Sequence, residues 1–354
     1  MFFKEIIMAD LRNFDPNSPS RANSNIFGLP FSLEEAKLVL LPVPWEVTVS
    51  YCPGTARSPE RIFKSSTQVD LFDSYFGNQW EKGFYMKPVD KKVLMKSDYL
   101  RKEAELYIDY ITKGEAVEKN KFMCKSLKDI NEGSQFLNNW VYEQCKALLD
   151  EDKLVGLVGG DHSTPAGFYR ALGEKYESFG FLHIDAHCDL RKSYEDFTYS
   201  HASVMYNALK EVPQISKLVQ VGIRDYCEEE WNFMCNSEGR VKIFLDEELK
   251  DREFRGEQWE QIANDIINQL PQQVYLSFDI DGLKHALCPN TGTPVPGGLE
   301  LEQVKFLLKK LLESGRKLIG FDLVEVGNAE TDWDSNVGAR VLFFLCNCLM
   351  KSNT

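Results

Sequence analysis

No stretch of this 354-residue chain is apolar for long enough to span a bilayer, and no basic excess marks a surface for polyanions. Lys and Arg total 41 against 54 Asp and Glu, a formal charge of −13. Nucleic acid and anionic membrane are therefore excluded as main partners, whereas a small cation is steered toward such a field. No CxxC pair occurs among the nine cysteines, and Cys346 and Cys348 stand too close together in an apolar, helix-like run. An odd number of scattered thiols fits a reducing cytoplasm better than a disulfide scaffold. The opening MFFKEIIMADLRN is no secretory signal, because Lys4 and Glu5 break its short apolar stretch and no small-residue cleavage site follows. Repeats, low-complexity tracts and a composition break that would divide the chain are also missing.

What is present is ordinary globular material, 43% hydrophobic, in a repeating order. Short unbroken apolar runs stand at 37–44, 154–158, 179–184, 218–223, 242–245, 274–280 and 317–326. Amphipathic segments separate them, such as 301–314, closed by Gly315, and residues 95–150 read as mostly helical. Apolar strands alternating with helices predict an α/β fold of three layers: a mainly parallel central sheet with helices on both faces. Residues 1–36 read as an N-terminal arm, irregular over 11–30, and 37–354 as one catalytic domain.

Three of the apolar runs end in clusters of chemistry-bearing side chains: GGDHS at 159–163, DAHCD at 185–189 and SFDID at 277–281. Functional groups of an open parallel sheet collect beyond the carboxyl ends of its strands, so the three clusters converge on one site. Alternation would put Asp185, His187 and Asp189 on one side of an extended backbone, and likewise Asp279 and Asp281. So many carboxylates in one cleft are costly unless cations neutralise them. Carboxylate and imidazole ligands together suit Mn²⁺, with Zn²⁺, Fe²⁺, Co²⁺ or Ni²⁺ as competitors, and six ligands exceed what one ion needs. A lone Asp at a strand end is usually a cap, and the glycines of GGDHS also fit a tight turn before a helix starting near Ser163; the three clusters together favour metal.

These motifs, with PVPWEVTVSYCPGTARSPERI at 42–62, TGTPVPGGL after SFDIDG, GIRD at 222–225 and LVEV at 323–326, resemble the ureohydrolases, the arginase/agmatinase/formiminoglutamase superfamily. The likeness runs from about 37 to 348. It implies two Mn²⁺ ions, one held by His162, Asp185, Asp189 and Asp279, the other by Asp185, His187, Asp279 and Asp281. It further implies a hydroxide activated by both cations as nucleophile toward a guanidinium carbon, with Asp189 passing a proton to the departing amine. Glu325 would hold the guanidinium, His201 would shuttle protons, and a trimer or hexamer would be the assembly. Of the other histidines, His183 reads as a core residue rather than an outer partner of Asp185, and His285 as a loop residue.

The sequence departs from that pattern where Lys284 and His285 follow Asp281, which would reshape the cleft wall, and where GNAETDWDSNVGARVL follows LVEV without a proline turn. Residues 85–135 are expanded. The SHA segment at 200–202 is similar to the agmatinase group, making agmatine, cleaved to putrescine and urea, the leading substrate. Arg191 would instead clamp a carboxylate, as in formiminoglutamate or a guanidino acid, unless Glu195 or Asp196 neutralises it, and arginine is a further alternative. A two-metal phosphoesterase would need basic groups for phosphate, and a non-catalytic metal-binding protein on this fold would lack a ligand.

Overall fold

The computed structural model describes Leu11, residues 14–21 and residues 23–354; apart from Leu11, the segment read as no secretory signal lies outside the described residues. Among the described residues eight strands form one sheet: β1 (Leu38–Val43), β2 (Phe84–Met86), β3 (Leu154–Gly159), β4 (Phe179–Ile184), β5 (Ile215–Ile223), β6 (Val241–Leu245), β7 (Gln273–Asp279) and β8 (Lys317–Val324). Their order is β2-β1-β3-β8-β7-β4-β5-β6, with every neighbouring pair parallel. The four strands whose ends carry the motifs, β3, β8, β7 and β4, are thereby neighbours at the centre.

Alternate residues of each strand feed two separate cores, which is why the strands read as unbroken apolar runs. Leu38 and Leu40 of β1 enter one core and Val39, Leu41 and Val43 the other. The first core is closed by α1 (Ser58–Ser66), α8 (Trp259–Asn268), α9 (Leu301–Glu313) and α10 (Trp333–Ser352), with Leu249 of α7 (Asp246–Phe254). The second is closed by α2 (Lys91–Thr112), α3 (Lys121–Asp150), α4 (Ala166–Lys175) and α5 (Val204–Glu211), with α6 (Glu228–Cys235) at its margin. This is the expected three-layer arrangement.

Several boundaries differ from the sequence reading. β2 is an edge strand of three residues, too short to leave a period in the sequence. The helix expected from Ser163 starts at Ala166, because the Thr164 amide first closes a turn on the Asp161 carbonyl. Within the irregular arm, Ile26, Phe27 and Leu29 are buried, and Phe27 packs edge-on against Phe84 and Phe343. All nine cysteines are free. Among the described residues no helix is long and apolar enough to cross a membrane.

Candidate metal centre and its cavity

The chain brings all six proposed ligands together beyond the carboxyl ends of β3, β4 and β7. His162 Nδ1 lies 3.0 Å from Asp185 Oδ2, 3.1 Å from Asp189 Oδ2 and 3.2 Å from Asp279 Oδ2. His187 Nδ1 lies 3.1 Å from Asp281 Oδ2 and 3.4 Å from Asp185 Oδ1. Donor atoms within 4.8 Å of one another form two groups: His162, His183, Asp185 and Asp189 in one, Asp185, His187 and Asp281 in the other. Asp185 belongs to both, as a bridging carboxylate must. Asp279 joins neither tight group; its Oδ1 accepts the Asp281 amide at 2.8 Å while Oδ2 faces His162.

The alternation argument holds only in part. Asp185 and His187 do share a side, but Asp189 has φ 55° and arrives by a left-handed turn. Asp281 sits in a 3-10 turn, Ile280–Gly282, rather than on an extended strand. Glu325, just beyond β8, also has a positive φ of 59°. Non-glycine residues in this region cost roughly 1 kcal/mol or more each and concentrate at functional sites. The glycines of GGDHS are there for close approach, not for turn conformation: a Cβ on Gly160 would stand 1.8 Å from the Trp45 carbonyl oxygen.

Metal is the group these residues fit. His162 Nδ1, Asp281 Oδ2 and Glu325 Oε2 are buried and take no hydrogen bond, three unsatisfied polar atoms among the strand-end residues. The outer nitrogen of His162, Nε2, lies 2.9 Å from Ser277 Oγ, and that hydroxyl donates to Asp322 Oδ1 at 3.1 Å. Since the serine proton goes to the carboxylate, Nε2 must be the donor to Ser277, so the neutral ring that a cation requires would carry its lone pair on Nδ1. Tyr275 and Tyr169 donate to Asp322 Oδ2 at 2.9 and 3.2 Å and complete the network. His183 is no mere core histidine, as the sequence reading had it: its Nε2 stands 2.7 Å from Asp185 Oδ2, while Gln220 donates to its Nδ1 at 2.8 Å.

Electrostatics agree. Burial first, and Asp185 second, push the Asp189 carboxyl up to about 6. Burial and the charges of Asp281 and Asp185 push Asp279 well above the carboxylate range. Burial opposes charge on His162 and His187, yet the surrounding carboxylates outweigh it and raise both. A site that must hoard protons to balance its carboxylates is a site built for cations.

The centre opens into a cavity of about 440 Å³ whose lining includes His187, Asp189, His201, Asp225 and the Thr293–Val295 wall. His201 is buried in the lining; burial foremost, then the charges of His187 and His162, hold it down at about 3, so the ring is neutral. Arg191 also lines the cavity, but its partner is neither Glu195 nor Asp196: Nε lies 3.8 Å from Glu230, and the guanidinium sits over Tyr194. Asp225 makes no ion pair with any of the described residues. Glu325 is held by the His162 amide, 2.9 Å from Oε1, and burial raises its carboxyl well above its usual range. Lys284 pairs with Glu300, and it and His285 line an adjoining crevice with Asp281, Pro294 and Val295 rather than the cavity itself.

Sequence reasoning missed Ser277, Asp322, Gln220, Glu230 and Thr48, whose hydroxyl accepts the His201 amide at 3.1 Å. A signal existed for two of them: a single Asp inside KLIGFDLV and a single Gln inside LVQVGI are polar groups in strands otherwise apolar on both faces. Thr48, Ser277 and Glu230 carry no local mark of their role.

The Arginase family model matches residues 36–350. This chain belongs to the arginase family. It is accordingly a hydrolase of C–N bonds in linear amidines, from a metal-dependent family. It is 29% identical over 294 residues to an N(1)-aminopropylagmatine ureohydrolase of Thermus thermophilus, covering 83% of each chain. The agmatinase of Bacillus cereus is 24% identical over 295 residues, covering 83% of this chain and 85% of that one. Among solved structures, the agmatine ureohydrolase of Thermoplasma volcanium superposes with a TM-score of 0.67 at 22% identity, covering 96% of both chains. The proclavaminate amidino hydrolase of Streptomyces clavuligerus gives 0.69 at 20%, covering 95% of this arginase-family chain and 99% of its own. At such identity these two structures speak for the fold.

Proposed function

We propose that this protein hydrolyses the guanidinium group of agmatine or a closely related guanidino-amine, releasing urea and an amine, with two Mn²⁺ ions bound by His162, Asp185, His187, Asp189, Asp279 and Asp281. The observation that carries the substrate reading is the charge around the cavity. Arg191 is taken up by Glu230 and Tyr194, whereas Asp225 has no cationic partner among the described residues of the wall. A substrate whose far end is an ammonium suits that wall better than one ending in a carboxylate. The names of the curated relatives point the same way.

When bound, the cations held by these residues would supply Lewis acidity and lower the pKa of a bound water. The chain's own residues do the rest. Glu325 offers its free Oε2 to the guanidinium, and a Cβ at position 292 would stand 2.9 Å from that oxygen. Asp189, a buried carboxyl whose Oδ2 lies 3.1 Å from His162 Nδ1, would carry a proton to the leaving amine. His201, neutral on the cavity wall, can relay a proton from solvent by accepting it on one ring nitrogen as it gives one up from the other.

The test is urea release by Mn²⁺-loaded protein from agmatine, N1-aminopropylagmatine, arginine and 4-guanidinobutyrate, formamide release from formiminoglutamate, and phosphate release from a phosphomonoester. Urea from the two amines with metal content near two per chain is expected. Arg191→Ala should leave KM for agmatine unchanged or lower it. A sharp rise in KM for a carboxylate-bearing substrate in that variant would overturn the amine reading.

A further inference from the structure

The cavity is walled by two loops that contain no α-helix or sheet strand, one at 45–54 carrying Ser50 and Tyr51, the other at 185–201 carrying Arg191, Tyr194 and His201. Helix α2, part of the expanded region, lies against both through one face. Ser97 Oγ accepts the Glu46 amide at 3.1 Å. One turn on, Arg101 Nη1 donates to the Val47 carbonyl at 3.3 Å and to the Val49 carbonyl, immediately before the lining residues. Six residues further, Tyr107 Oη donates to Asp196 Oδ2 at 2.7 Å, and its ring packs on Phe197 at 5.5 Å.

The second loop needs that support. Tyr194 and Phe197 exchange both backbone hydrogen bonds, at 2.8 and 3.2 Å, so Glu195 and Asp196 form a two-residue turn with φ 52° and 61°. Such turns ordinarily use Asn and Gly, because side chains at both positions resist the left-handed conformation. Here neither residue is glycine, and contacts from outside the loop hold them. Asn131 of α3 adds two more, accepting the Thr198 amide at 2.8 Å and donating to the Asp196 carbonyl at 3.4 Å. Tyr194, which begins the turn, stacks edge-on against His201 at 5.9 Å.

We propose that α2 is a strut that fixes the spacing of the two cavity walls, with Arg101 and Tyr107 as positioning residues for substrate. It gives the expanded 85–135 region a role in recognition rather than in the metal centre, and it rests on reading the cavity as the guanidino site. The consequence is specific. Releasing either loop should weaken substrate binding while the metals, held by the ends of β3, β4 and β7, stay in place.

The experiment uses the full-length, Mn²⁺-loaded protein with agmatine as probe and compares wild type, Tyr107→Phe and Arg101→Met. Tyr107→Phe removes one hydroxyl and should raise KM roughly tenfold with kcat changed by no more than about twofold, the loss expected for one hydrogen bond to a charged group. Metal content should stay at the wild-type value. Backbone amide exchange should quicken over 194–199 in Tyr107→Phe and over 46–50 in Arg101→Met. Unchanged KM together with unchanged exchange in folded Tyr107→Phe would overturn the strut. If Arg101→Met does not fold, Tyr107→Phe alone decides. Should wild type release no urea from agmatine, the substrate reading falls and the exchange data decide the strut by themselves.

Discussion

Ser277→Ala isolates the outer support of the metal centre. The hydroxyl is the acceptor for His162 Nε2, at 2.9 Å, and the next oxygen that nitrogen could reach, Asp322 Oδ1, is 3.9 Å away. Removing it leaves a buried imidazole N–H without a partner. Asp322 is not orphaned by the change, since the Phe278 amide still donates to Oδ1 at 3.1 Å and both tyrosines to Oδ2. The folding loss is therefore that of one buried donor, about 1–3 kcal/mol. The metal loss is separate: outer partners of ligating histidines are worth about 10–100-fold in affinity, or about 1.4–2.7 kcal/mol. Calorimetric titration of Mn²⁺ into metal-stripped protein reads that term, and melting in excess Mn²⁺ reads the first. Ser277→Thr, which keeps the hydroxyl, should recover most of the affinity. Wild-type Mn²⁺ affinity in folded Ser277→Ala would show that His162 is not a ligand, or that its outer nitrogen does not matter.

Glu195 gives a pH dependence of determinate sign. Burial lifts its carboxyl from 4.5 to about 7 in the fold, so the stability tied to its proton is complete below pH 4.5 and is lost as pH rises through 7. Glu195→Gln should melt close to wild type at about pH 5 and above it at about pH 8, with the gap opening between; a gap that stays constant with pH refutes the reasoning. His201→Ala should lower turnover about 10²-fold with Mn²⁺ content and melting unchanged, and added imidazole should restore part of it. Wild-type turnover would remove His201 from proton transfer. Gly160→Ala would drive a methyl into the Trp45 carbonyl at 1.8 Å and should cost more than about 4 kcal/mol or prevent folding, readable as a lost or strongly lowered melting transition.

How much of this was legible in the sequence follows from the reach of each signal. Strand and helix alternation is a local periodicity, so seven of the eight strands and the long helices of 95–150 stood out, while three-residue β2 did not. The ligand types and their clustering at strand ends were likewise local, and three motifs were enough to name six side chains and the family. The sequence also determined the sign of the overall charge, and with it the class of partner the surface repels.

The tertiary structure alone decided which groups meet. Strand order put β8 between β3 and β7, and that neighbourhood brought Asp322 beside Ser277 and so made His162 Nε2 a donor. The β4–β5 register placed Gln220 opposite His183 and turned an apparent core histidine into a partner of Asp185. Left-handed turns at Asp189 and Glu325, not strand alternation, delivered those two carboxylates. Arg191 found Glu230, 39 residues on, rather than the acids four and five residues away, because the turn at 195–196 points Asp196 toward α2. The reason is common to all four: hydrogen-bond and ion-pair partners are chosen by distance in space, and a parallel sheet makes neighbours of residues far apart in the chain, which no local pattern records.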